Sequence, residues 1–154
     1  MIGFIGAGQM AQALAKGLVH SGLFPADDIF ASDPNPTAQS AFLELLSAAQ
    51  VHHENAHLVA KCKTIVLAVK PQQMKDVLLS IDSVLDSSHL VISIAAGIQL
   101  EWLAKGMTNE SRLVRVMPNT PCLVGQGVSC YALGRGATAE DAAFVDRLLC
   151  SVGT

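Results

Sequence analysis

Six consecutive residues near the start of the chain, Gly6, Ala7, Gly8, Gln9, Met10 and Ala11, form the pattern GxGxxA. That spacing suits a backbone that must turn sharply and then lie against a phosphate. Gly6 permits the tight turn, and Gly8 leaves no Cβ in the way of a pyrophosphate. Ala11 is small enough for the following helix to pack closely on the preceding strand. The first turn of such a helix offers free N–H groups and the positive end of the helix dipole to the phosphates. The same six residues also fit a glycine-rich turn that merely packs. Context separates the two readings, because the functional one requires a strand before the motif, a helix after it and an alternating α/β chain beyond.

Roughly 20 positions past Ala11 stand Ser32 and Asp33. An acid there accepts hydrogen bonds from the ribose hydroxyls of NAD and repels the additional phosphate of NADP. Asp33 equally suits an Asx turn that only shapes the Pro34-Asn35-Pro36 loop. No Lys or Arg lies between Lys16 and Lys61. A 2′-phosphate would therefore rely on Ser32, Asn35, Thr37 or a cation from elsewhere, such as Lys70. NADP(H) and NAD(H) both remain open as the cofactor.

The elements that must position these residues are legible from periodicity. Residues 1–6 read as a strand and 10–21 as a helix with Leu14, Leu18 and Val19 turned inward. A second strand covers 28–32, and a helix over 37–48 follows with Thr37 as its expected N-cap. A short strand is expected near Val51 and a short helix over 55–61. Residues 64–69 (TIVLAV) are β-branched and apolar on both faces, as buried parallel strands are. Pro71 and Gln72 open a helix reaching Ile81. Strands over 90–94, 112–117 and 128–132 alternate with helices over 98–105 and from Thr138 onward. Thr138 caps this last helix, with Glu140 and Asp141 in its first turn, where the dipole favours negative charge. Strand and helix alternating in this way imply βαβ units and a Rossmann-like, doubly wound, mostly parallel sheet. One dinucleotide-binding domain over residues 1–154 is expected.

Composition narrows the classes. The chain has 154 residues, 51% hydrophobic and 15% charged, with a mean hydropathy of +0.41. Such a chain folds, and its apolar excess suggests that some surface covers a partner domain or subunit. The net charge of -3 gives no basic footprint for nucleic acid. No apolar run reaches the roughly 18 residues of a membrane helix, and the opening lacks a charged leader pattern, so a cytoplasmic protein is expected. Cys62, Cys122, Cys130 and Cys150 form no CxxC and no zinc spacing, and are expected as reduced, packed thiols. His52, His53 and His57 are expected in a solvated loop and helix start, with no metal.

Three further segments fall at the C-terminal ends of expected strands, where open α/β sheets bind ligands: Ala68-Val69-Lys70-Pro71, Ala95-Ala96-Gly97 and Met117-Pro118-Asn119-Thr120-Pro121. Together with the opening IGFIGAGQM, this set resembles pyrroline-5-carboxylate reductase over nearly the whole chain. The resemblance implies NAD(P)H-dependent reduction of 1-pyrroline-5-carboxylate to proline, in proline biosynthesis, with this chain supplying the cofactor-binding domain. It also implies a C-terminal helical domain, expected to be missing here, that dimerises the protein and supplies much of the substrate pocket.

By analogy, residues 6–11 hold the pyrophosphate, and Ser32 and Asn55 face the adenosine ribose. Ala68, Val69, Lys70 and Pro71, with Ala95, Ala96 and Gly97, line the path to the nicotinamide. Asn119 and Thr120 sit beside the nicotinamide and the substrate ring. The residues alone also allow Lys70 as a surface charge, Asn119 as the cap of a turn and Pro71 as an ordinary first helical residue. They allow Met117 to Pro121 as a loop held open by its two prolines.

Hydride transfer is chemistry of the cofactor, and the protein contributes binding, orientation and electrostatics. No convincing general acid stands in this chain, so the catalytic residues are unassigned and expected in the absent domain, and the fragment alone is expected to turn over little. Two rival readings stay open. One is another imine or 3-hydroxyacid reductase of the same two-domain plan, and the other is a non-catalytic nucleotide-sensing module.

Overall fold

The computed structural model describes residues 1–153. Seven strands, β1 (Ile2–Ile5), β2 (Ile29–Ser32), β3 (Gln50–His52), β4 (Thr64–Leu67), β5 (Leu90–Ser93), β6 (Arg112–Met117) and β7 (Cys130–Leu133), form one sheet. Its order is β3-β2-β1-β4-β5-β6-β7. The six strands from β1 to β6 run parallel, and only the edge strand β7 is antiparallel, against β6. The chain winds outward from β1 through β2 to β3, then returns to place β4 on the other side of β1. That return is the topological switch point, outside which open α/β sheets bind ligands.

Six helices cover the sheet: α1 (Gln9–His20), α2 (Pro36–Leu45), α3 (Asn55–Lys61), α4 (Met74–Ile81), α5 (Leu100–Gly106) and α6 (Ala139–Cys150). Alternation along the strands divides the core in two. Ile2, Phe4, Ile29, Ala31, Val66, Ile92 and Val114 point to one face and meet Leu14 and Leu18 of α1, Phe42 of α2 and Val145 and Leu148 of α6. Ile5, Phe30, Ile65, Leu67, Val91 and Leu113 point to the other and meet Leu58 of α3, Met74 and Leu78 of α4 and Leu103 of α5. A strand with helices on both faces has no polar side to present, which is why these segments read as continuous apolar runs.

Two local expectations are corrected. Helix α2 begins at Pro36, and its N-cap is Asn35, whose side-chain oxygen accepts from the Thr37 N–H. Proline at the first helical position needs no hydrogen bond for its nitrogen and leaves the capping role to the residue before it. The segment 117–121 is also not a plain loop. Met117 ends β6 opposite Cys130, and Thr120–Val124 forms a 3₁₀ turn that closes at Gly125, in the left-handed conformation at φ 70°.

Helix α6 starts as expected at Thr138 with a reciprocal capping box. The Thr138 hydroxyl accepts from the Asp141 N–H, and the Asp141 carboxylate accepts from the Thr138 backbone N–H at 2.9 Å. The other oxygen of Asp141 accepts from Arg112 Nη1 at 2.6 Å, which ties α6 to the start of β6. Asp141 is 4% exposed, so its hydrogen-bond partners are these protein donors and not bulk water. Asp141→Ala should lower the unfolding free energy by about 3 kcal/mol, from a broken, partly buried ion pair plus a lost cap. Urea denaturation measures it.

At the end of β1 the chain must leave the sheet beside β4. Gly6 adopts φ +98°, and a Cβ there would stand 2.5 Å from the carbonyl oxygen of Ala68. Gly8 is different, because a Cβ on it would meet no protein atom within 4 Å. Gly6→Ala should therefore cost roughly 2 kcal/mol or more through strain and contact. Gly8→Ala should cost at most about 1 kcal/mol, the ordinary loss at an N-cap. Comparable losses in the two variants, measured by denaturation, would contradict this assignment.

Candidate functional site

The ladder sets Ile5, Ser32, Leu67, Ser93 and Arg115 in one row across β1, β2, β4, β5 and β6. The residues that follow them form the C-terminal rim of the sheet. Every segment singled out in the sequence leaves from this rim: 6–11 after β1, Asp33 after β2, 68–71 after β4, 95–97 after β5 and Asn119 and Thr120 after β6. Distant parts of the chain meet because parallel strands all end on the same side.

The glycine segment turns from β1 into α1, with Gly8 as the N-cap. No side chain caps α1, and its first helical bond is Gln12 N–H to Gly8 carbonyl at 3.0 Å. Gln12 also donates from Nε2 to the Ala7 carbonyl at 2.8 Å. The N–H groups of the first turn are thus left to face whatever occupies the rim, and the open space at Gly8 admits it. A pyrophosphate fits that combination in charge and in shape.

Between this turn, β2 and α4 lies a cleft of about 530 Å³, a volume usual for cofactor sites. It gathers Gly6, Gly8, Ser32, Asp33, Asn55, Val69 and Lys70 from the expected set. Its floor is a polar relay. The buried Ser32 hydroxyl donates to Asn55 Oδ1 at 2.7 Å, and Asn55 Nδ2 donates to Ser80 Oγ at 3.1 Å. Ser80 in turn donates to the Val77 carbonyl. Lys70 is exposed at the cleft mouth and forms no ion pair among the described residues.

Asp33 fulfils the turn reading and adds a contact that the sequence did not reveal. Its Oδ1 accepts from the Asn35 N–H at 2.8 Å, making the Asx turn, and its Oδ2 accepts from the Ala7 N–H at 2.9 Å. The carboxylate therefore ties the β2 loop to the glycine turn. Sequence reading also missed Gln73, Asp76, Val77 and Ser80, which line the cleft. The signal was present, since positions 73, 76, 77 and 80 repeat at helical spacing on one face.

The remaining expected residues lie on the rim but not in the cleft wall. Gln9 and Met10 open α1, and Ala11 is buried beneath it. Pro71 starts a 3₁₀ turn, Pro71–Gln73, ahead of α4. Ala95 is buried, Ala96 and Gly97 are exposed, and Gly97 takes φ +76°. Asn119 accepts at Oδ1 from the Val128 N–H at 3.0 Å, so its side chain closes the 119–128 loop as the turn-capping reading had it. Thr120 is exposed.

The cysteine expectation needs correction. Cys62 and Cys122 are buried, but Cys130 and Cys150 are exposed, because the edge strand β7 has one uncovered face and α6 ends at the surface. Burial pushes the Cys62 thiol up to about 11. His53 and His57 lie exposed in a bend and at the start of α3, as expected, and only His52 is placed differently. His52 ends β3 half-buried, stacked on Phe30, with the His57 ring 4.7 Å away. Its pKa is lowered by burial first, then by His57 and Lys61. A second hollow of about 460 Å³ lies beside α1 and the 3₁₀ turn 120–124, lined by Lys16, His20, Leu123 and Val124. It contains neither the glycine turn nor the switch point.

Comparison with known proteins follows the same outline. Residues 1–97 match the family model described as NADP oxidoreductase, coenzyme F420-dependent. Over 152 residues, 99% of this chain, the sequence is 41% identical to pyrroline-5-carboxylate reductase of Pisum sativum. The structure resembles the Plasmodium falciparum pyrroline carboxylate reductase solved with NADP bound, at TM-score 0.84 and 34% identity, covering 99% of this chain and 55% of that one. It resembles the pyrroline-5-carboxylate reductase of Coxiella burnetii at TM-score 0.91 and 29% identity, covering 99% and 56%. The chain spans about half the length of the curated relatives it matches. With a glycine turn at the switch point of a doubly wound sheet and a matching model over residues 1–97, the chain belongs to the family described as NADP oxidoreductase, coenzyme F420-dependent, and is similar along its length to pyrroline-5-carboxylate reductases.

Proposed function

We propose that residues 1–154 are the dinucleotide-binding domain of an NAD(P)H-dependent pyrroline-5-carboxylate reductase, which reduces 1-pyrroline-5-carboxylate to proline in the cytoplasm. The observation that carries this reading is the uncapped N-terminus of α1 behind Gly8, opening on a cleft at the switch point. The 41% identity to the pea reductase across 99% of the chain supports the choice of substrate.

Bound NAD(P)H supplies the hydride. The chain's own residues bind and orient it. In this reading Gly6, Ala7, Gly8, Gln9, Met10 and Ala11 take the pyrophosphate, and Ser32, Asp33 and Asn55 take the adenosine ribose. Ala68, Val69, Lys70 and Pro71, with Ala95, Ala96 and Gly97, border the reacting end, and Asn119 and Thr120 stand nearest the substrate. Gly97, at positive φ with no neighbour for a Cβ, lets backbone approach a ligand there. The proton that accompanies the hydride is assigned to the part of the relatives this chain does not span.

Homo-oligomerisation belongs to the same proposal. Exposed apolar side chains occur on β6, the 3₁₀ turn, the loop after it and β7: Met117, Leu123, Val124, Val128 and Leu133. A surface of that kind suits a partner domain or subunit. No helix among the described residues is long and apolar enough to cross a membrane.

The test follows NADH and NADPH oxidation with 1-pyrroline-5-carboxylate, using the full-length gene product beside the 154-residue chain. Turnover in the full-length protein alone is expected. Imine reduction by the isolated chain would remove the assignment of the proton donor elsewhere. Nucleotide binding without turnover in either would leave another imine or hydroxyacid reductase, or a sensing module. Gly8→Ala should weaken dinucleotide binding about tenfold or more, by placing a methyl where the pyrophosphate must pass, while leaving the fold intact.

A further inference from the structure

Resting on that reading of the cleft, we propose that this chain selects NAD(H) over NADP(H), and that Asp33 makes the selection by holding a fixed negative charge where a 2′-phosphate would have to lie. A carboxylate has about four acceptor positions. Asp33 uses one on each oxygen, for the Ala7 N–H at 2.9 Å and the Asn35 N–H at 2.8 Å. The other position on each oxygen remains for a ribose hydroxyl, which donates. A phosphate has no proton to donate and carries close to two negative charges near neutral pH. The two backbone bonds also prevent the carboxylate from swinging aside, so the repulsion is not relieved by rotation.

No Lys or Arg on the adenosine side of the cleft offsets that charge. No Lys or Arg lies between Lys16 and Lys61, so β2, its loop and the start of α3 bring none. At the N-terminus of α2, which would otherwise attract an anion, Pro36 has no N–H and the Thr37 N–H is taken by the Asn35 side chain. The charged residues lining the cleft are Asp33, Asp76 and Lys70, one cation against two carboxylates. Lys70 follows β4, with β1 between it and β2, which places it two strand spacings from Asp33, roughly 10 Å. It forms no ion pair with Asp33 or Asp76.

Calorimetric titration of the protein with NAD+ and NADP+ tests the proposal without requiring turnover. NAD+ should bind about tenfold tighter or more, as a like charge at contact distance predicts. ADP and its 2′-phosphorylated counterpart should differ by a similar factor, which locates the effect at the adenosine end. In Asp33→Asn the ratio should fall about tenfold through tighter NADP+ binding. Equal or tighter binding of NADP+ by the unaltered protein overturns the proposal, as does an unchanged ratio in Asp33→Asn with both cofactors weakened alike. The unaltered protein and the ADP pair decide the matter if the variant fails to fold. Binding of neither dinucleotide would instead overturn the reading of the cleft itself.

Discussion

Parallel strands β1 and β4 lie side by side at the centre of the sheet, and the chain leaves both on the same rim. Their ends are held by the Ala68 N–H bonded to the Ile5 carbonyl at 2.8 Å, which leaves no volume for a side chain at Gly6. The helix after β1 packs on one face of the sheet and the helix after β4 on the other. The two chain paths therefore part at this point and open a crevice between them. Everything that gives the rim its chemistry depends on that separation.

The crevice is stiffened from its β2 side by a charge. Asp33 joins the β2 loop to the glycine turn through the Ala7 N–H and closes its own loop through the Asn35 N–H. Below it, the relay from Ser32 through Asn55 to Ser80 connects β2, α3 and α4 across the floor. The Ala7–Asp33, Ser32–Asn55 and Asn55–Ser80 links each join segments more than 20 residues apart, so the cleft floor and its β2 wall form only once these segments are brought together. The relay runs from the buried Ser32 through the half-buried Asn55 to the exposed Ser80, and each hydroxyl and amide has a partner.

On the far side of the sheet the structure is less closed. β7 is antiparallel, short and partly exposed, and the turn before it presents Leu123, Val124 and Val128 to the surface. Asn119 and the buried Cys122 organise that turn from within, through the Val128 N–H and the Asn119 carbonyl. The polar rim and this apolar flank meet at residues 117–120, so a body covering the flank would also border the rim.

Much of this was readable from residue order. Alternating apolar runs determined the βαβ plan, because a strand covered on both faces must be apolar throughout. The GxGxxA spacing marked the turn at β1, and Thr138 with Asp141 marked the start of α6, since both rest on bonds between residues a few positions apart. Local signals were less decisive where two neighbours compete for one role, as Asn35 and Thr37 did for the cap of α2. Contacts between distant segments could not be read in this way. That Asp33 reaches Ala7, that Asn55 bridges Ser32 and Ser80, that Arg112 finds Asp141, and that Cys130 and Cys150 stay exposed are outcomes of which strands lie beside which. Sequence by itself determined the elements and the glycine turn at the end of β1. The tertiary structure alone decided the partners of each charge and the shape of the cleft, because both depend on the order of strands in the sheet, which no local spacing encodes.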